Sequence, residues 1–141
     1  MDDSFNIVSP SPDARHTARL VVSGEIRYGP LYYALSVDAY SFGQRIFGAA
    51  HLWSSSSQLL AVQEWLTLDY SEGPITALTL IDLAQGRETT VARVTKAFVV
   101  PETFEHAIVT YRIDAGGQEG VEHLTADARQ IVEWTALARG E

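Results

Sequence analysis

The residues best suited to chemistry in this chain are aromatic and acidic side chains set close together: Glu64, Trp65, Asp69, Tyr70 and Glu72 fall on one predicted strand and the loop after it. Tyr and Trp rings give a large desolvated contact area, and carboxylates around them steer and select a cationic surface. The combination fits docking onto an Arg- or Lys-rich protein. Glu64, Asp69, Tyr70 and Glu72 are the partner-binding residues on this reading, with Trp65 either an anchor or part of the core. No Lys or Arg occurs between Arg45 and Arg87, whereas Glu64, Asp69, Glu72 and Asp82 do.

The spacings that catalysis would need are missing. His16, His51, His106 and His123 form neither an H-x-x-x-H nor an H-E-x-x-H pattern, so no metal is expected. Glu105-His106 and Glu122-His123 fall on the two strands of a predicted last hairpin, where the imidazoles would face each other. That hairpin is the place to look for acid–base chemistry. No serine sits in a G-x-S-x-G elbow, and no glycine-rich stretch matches a phosphate loop or a dinucleotide fingerprint. Glu64 and Asp69 could in principle serve glycoside hydrolysis, but along a strand and its loop their carboxylates point apart. The chain has no cysteine, which removes disulfides, thiolate metal sites and cysteine nucleophiles and fits a reducing compartment. No cofactor is expected.

The elements that must hold these residues are strands. A chain of 141 residues with 46% hydrophobic and 20% charged side chains matches one globular domain, residues 1–141. In Thr17 to Arg27 the positions Ala18, Leu20, Val22 and Ile26 are apolar between Arg19, Ser23 and Glu25, the alternation of a half-buried strand. Leu31 to Asp38 alternates likewise after Tyr28-Gly29-Pro30, as a hairpin partner. Arg45 to Trp53, Leu59 to Leu68, Ile75 to Leu83 and Glu88 to Thr95 read as further strands between Ser-, Gly- and Pro-rich turns. Ala97 to Val100 either extends the last of these or opens another. Phe104 to Ile113 and Gly120 to Leu124 make the final hairpin around Asp114-Ala115-Gly116-Gly117. At the end, Asp127 either caps a short helix carrying Ile131, Trp134 and Ala138 on one face, or Ile131 to Ala136 is a strand. The expected fold is mainly β: an antiparallel meander of about eight strands forming a sandwich or half-open barrel.

From His51 to Lys96, the run Leu52-Trp53-Ser54, a serine turn, Leu59-Leu60-Ala61-Val62, a Gly-Pro loop, Leu78 to Leu83, Gly86 and Val94-Thr95 resembles one blade of a TolB-like β-propeller. Ser55-Ser56 stands where those blades carry Pro-Asp, and one chain of this length cannot supply a propeller. The resemblance therefore implies a local antiparallel meander and transfers no site residue.

The formal charge is −8, which disfavours nucleic acid and anionic membranes as main partners. The acidic N-terminus, Met1-Asp2-Asp3-Ser4-Phe5, lacks the order of a secretory signal, and no apolar run is long enough to span a bilayer; a cytoplasmic protein is expected. Nine of ten basic residues are Arg, and with abundant Ala this fits a bacterial origin. In overall profile the chain resembles bacterial toxin-immunity proteins. That resemblance implies a non-enzymatic module that binds and neutralises a basic toxin domain. The alternative is a small-molecule-binding β-barrel or an enzyme of unrecognised type, its site inside the curled sheet and lined by Tyr33, Trp53 or His106.

Overall fold

The computed structural model describes residues 5–26, 29–69, 71, 73–115 and 120–138. The first alternating segment forms β2 (Thr17–Glu25), with Ala18, Leu20 and Val22 buried and Arg19, Val21 and Ser23 exposed. It pairs antiparallel with β1 (Ile7–Pro10) and with β3 (Leu31–Val37). The chain continues through β4 (Tyr40–Ser41), β5 (Ile46–Trp53), β6 (Leu59–Trp65), β7 (Ile75–Asp82) and β8 (Arg87–Thr95). Then follow β9 (Phe98–Glu105), β10 (Ile108–Asp114), β11 (Val121–Asp127) and β12 (Thr135–Ala136).

These strands make two antiparallel sheets among the described residues. The first has the order β1-β2-β3-β5-β6-β7-β8-β12, with β4 on β3; the second is β11-β10-β9. The local antiparallel meander expected over residues 51–96 is present as β5 to β8, but these strands continue into β3 on one side and β12 on the other, so they form part of one sheet and not a separate blade. That sheet curls. The Ser9 carbonyl on β1 accepts from the Trp53 indole on β5 at 3.2 Å, and the Ser41 amide on β4 donates to the Ala138 carbonyl at 3.4 Å. It stops short of a closed barrel.

Strands β6 and β7 explain the layering. Period-2 geometry sends Leu60, Val62 and Ile81 into the concave side of the first sheet, where they pack with Leu20, Val37 and Phe47. The alternate residues Leu59, Ala61, Leu78 and Leu80 meet Val99, Phe104, Val109 and Tyr111 of the second sheet. Both faces are therefore buried, which is why these two strands read as nearly unbroken apolar runs. Buried polar side chains fix the sheet crossing: Gln63 Nε2 donates to the Val99 carbonyl at 2.8 Å, and Thr76 Oγ1 to the Ala97 carbonyl at 2.9 Å. The concave side is filled, with Tyr33, Leu35, Phe47 and Val62 all buried. His106 stands outside it, in the turn between β9 and β10.

Several expectations need correction. The mainly β antiparallel fold is as expected, with twelve strands where about eight were counted, because β4 adds a two-residue pairing, the short strand around Ile7-Val8 and the terminal strand alternative both form, and the segment from Phe104 to Ile113 is broken. His106 adopts φ +55° and turns the chain there, so Glu105 pairs with Ile108. His123 consequently sits opposite Arg112 and not opposite His106. At the C-terminus Asp127 does cap a helical segment, its side chain accepting from the Arg129 amide, but only as the single 3-10 turn Ala128–Gln130. The backbone then finds better partners on the edge of β8, where Thr135 and Ala136 pair with Glu88 and Arg87. The turn predicted at residues 114–117 lies partly outside the described residues.

Candidate interaction site

The acidic and aromatic residues singled out in the sequence belong to β6 and the loop after it. The loop is closed at its base by the Leu66 amide on the Ile75 carbonyl at 2.9 Å. Inside it, Thr67 Oγ1 accepts from the Asp69 amide and Asp69 Oδ1 accepts from the Ser71 amide, each at 2.9 Å. These are the local side-chain-to-backbone bonds by which Thr and Asp stabilise turns. The Ser71 bonds hold the Asp69 carboxyl below its ordinary value, so it stays ionised in an exposed position. Gly73, at φ +85°, lets the chain pass close to Lys96, whose Cγ would lie 3.0 Å from a Cβ placed there. Lys96 itself marks the break between β8 and β9, at φ +57°.

Glu64 goes elsewhere. The strand period that sends Trp65 toward the second sheet sends Glu64 to the concave side, where it is 7% exposed. Arg45 reaches it from the start of β5 with two parallel bonds, Nε to Oε2 at 2.9 Å and Nη2 to Oε1 at 2.8 Å. Thr79 Oγ1 donates to Oε1 at 2.8 Å, and Arg45 Nη1 also reaches Glu88 at 3.0 Å. One guanidinium is thus shared between two carboxylates, and it lies 5.2 Å from the Phe42 ring centroid and 5.7 Å from that of Phe47. The Glu64 bonds drive the Arg45 pKa upward, so the cation persists at every accessible pH. Trp65 is buried, its indole donating to Gln63 Oε1 at 2.7 Å and its ring tilted against Phe98.

Of the four partner-binding residues read from the sequence, the structure therefore places Asp69 on the surface and Glu64 in a buried ion pair. Tyr70 and Glu72 lie outside the described residues. The stretch without Lys or Arg is not without positive charge in space, since Arg45 folds into it and Lys96 lies beside its loop. What the sequence reading missed is apolar: Leu66 and Leu68 are 40% and 49% exposed next to Asp69. The apolar run suggests a strand as far as Leu68, but β6 ends at Trp65 and both leucines lie in the loop. With Ile46, Trp65, Arg45 and Glu64 they border a cleft of about 380 Å³.

The histidines do other work. His123 Nδ1 and Arg112 both approach Glu102 on the outer face of the second sheet, at 2.8 and 3.6 Å. His16 pairs with Asp38 at 2.6 Å and stacks on Trp53. Among the described residues no group of three or more potential metal ligands occurs, and no helix is long and apolar enough to cross a membrane. Comparison of the chain with protein-family models, with curated proteins and with solved structures finds no match.

Proposed function

We propose that this chain is a non-enzymatic protein-binding module, specifically an immunity protein that binds and neutralises a basic bacterial toxin domain. The observation that carries the reading is the loop after β6, where Leu66 and Leu68 stand exposed beside the ionised Asp69 over an open cleft. Exposed leucines on a braced loop supply the apolar centre of a contact, and a neighbouring carboxylate supplies charge selectivity. The formal charge of −8 favours a cationic partner, and exposed Glu25, Glu105, Glu122 and Glu133 add to the attracting field. The Arg45–Glu64 pair, with its carboxylate buried and its guanidinium part-exposed, holds the loop's first strand in place and is not itself offered to a partner.

The test begins with affinity capture on the tagged full chain at low and moderate salt, followed by binding kinetics with the captured protein. The double variant Leu66→Ser with Leu68→Ser is expected to weaken binding by about tenfold or more, mainly through faster dissociation. Asp69→Lys is expected to slow association and flatten its salt dependence. A captured partner that binds the double-leucine variant as tightly as the wild type removes the loop from the interface. Retention of no protein at either salt defeats the binding-module reading altogether.

A further inference from the structure

At the opposite end of β6 and β7 three hairpin turns and the 3-10 turn meet around a second cleft, of about 360 Å³. Its rim is tied together. The Ser55 amide donates to the Phe104 carbonyl at 3.0 Å, Ser55 Oγ accepts from the His106 amide at 2.7 Å, and the Ala128 amide donates to the Ala107 carbonyl at 2.8 Å. The Leu83 amide bonds the Gln58 carbonyl, and that of Leu137 bonds the Gly86 carbonyl, both at 2.9 Å. Walls held by backbone bonds on every side are a preformed site, and the volume falls in the roughly 300–1,000 Å³ range of small-molecule sites.

The polar groups facing this space are unequal in their commitments. Asp82 has both oxygens engaged, Oδ1 by the Gln85 amide at 3.1 Å and Oδ2 by Arg87 Nε at 2.9 Å. Asp127, behind Arg129, likewise has both oxygens bonded, by Arg129 Nε and Nη2. The cations are not used up. Arg87 places its guanidinium carbon over Trp134, 4.3 Å from the ring centroid, and spends one N–H on Asp82; its two terminal amino groups have no protein acceptor among the described residues. Arg129 keeps its Nη1 group free among them, and the exposed His106 ring has no protein partner there. Each carboxylate oxygen already accepts a protein bond while planar guanidinium donors remain without one, and this occurs in a chain of charge −8.

We infer that this cleft binds a small molecule through an oxyanion group, a carboxylate or a phosphate, held by Arg87 and Arg129 with His106 at the rim. Trp134 fixes the Arg87 guanidinium by stacking, so the donors need little ordering when the anion arrives. The inference is independent of the protein-binding loop, which lies at the other end of the same strands.

The experiment is a nuclear magnetic resonance titration of the isotope-labelled full chain with sodium phosphate and, separately, sodium acetate, at ionic strength held constant with sodium chloride. The Trp134 indole and the Arg87 and Arg129 Nε–H signals are expected to shift saturably, while the Trp53 and Trp65 indoles stay in place. Saturation with phosphate alone assigns a phosphate ligand, and saturation with acetate alone a carboxylate. Arg129→Gln, on an exposed turn, is expected to weaken binding by about tenfold, and Arg87→Gln by at least as much. Thermal unfolding of both variants separates lost binding from lost fold. Shifts that fail to saturate with either anion, or folded variants that titrate like the wild type, overturn the inference.

Discussion

The two ends of the β6–β7 pair are made from similar materials and arranged oppositely. At the loop end a half-exposed arginine commits its guanidinium to two carboxylates, and the surface beside it offers leucines and one ionised aspartate. At the turn end each carboxylate oxygen is bonded by a neighbour and the arginines keep donors to spare. The net charge of the chain describes neither end. Which sign of charge a surface offers depends on which partner in each pair has unsatisfied groups left over, and that is a property of geometry more than of composition.

The sharpest way to break this comparison is to remove the internal charge pair at the loop end. Glu64→Ala leaves Arg45 beside Phe42 and Phe47 with only Glu88 as a carboxylate partner, and it strips Thr79 of its acceptor. A loss of about 3 kcal/mol in unfolding free energy is expected from urea denaturation, the lower part of the range for broken buried pairs, because part of Arg45 remains wet. A loss near zero would mean that the loop end is not braced by this pair. At the turn end Arg87→Ala removes one bond to Asp82 and the stack on Trp134, with an expected loss of about 1.5 kcal/mol by the same measurement. A cost equal to or above that of Glu64→Ala would erase the distinction between a structural arginine and an available one.

The smallest effect is in acid titration. Hydrogen bonds from Ser71 lower the Asp69 pKa, and the Arg129 side chain lowers that of Asp127. A carboxyl whose folded pKa is depressed contributes stability above its unfolded value, near about 3.9, and loses it as pH falls through the folded value. Carbon-detected titration should find both groups ionised below the ordinary carboxylate range. Arg129→Gln should move Asp127 back upward while leaving Asp69 where it is; movement of both would show that the ends are electrostatically coupled.

Most strands were legible because their causes are local. β2 and β3 alternate, and β6 and β7 are runs of Leu, Val, Ile and Thr between turn residues. The turn at His106-Ala107 was not legible, since no Gly, Pro, Asn or Asp marks it and the apolar pattern runs on from Phe104 to Ile113. β12 was half legible: a strand over Ile131 to Ala136 stands in the sequence as the rival of a helix, and of that stretch only Thr135 and Ala136 pair, held by the free edge of β8. The candidate site was half legible. Asp69 in a turn context reads as surface, but the strand period also placed Glu64 next to Trp65 without saying which of the two faced Arg45, 19 positions away. The turn-end cleft joins residues from 56 to 134, and no spacing in the sequence marks it.

Because β6 and β7 wall both hydrophobic clusters, losing either cluster bares one side of the same two strands, and unfolding in a single transition is expected. Its two ends therefore share a single cooperative fate. An occupant at one end that binds only the folded chain lowers the population of open states at the other by mass action, with no movement passing between them. Such protection is linkage through a common unfolding equilibrium, and it would make each ligand a guardian of the other's site even where the two never sense one another's presence.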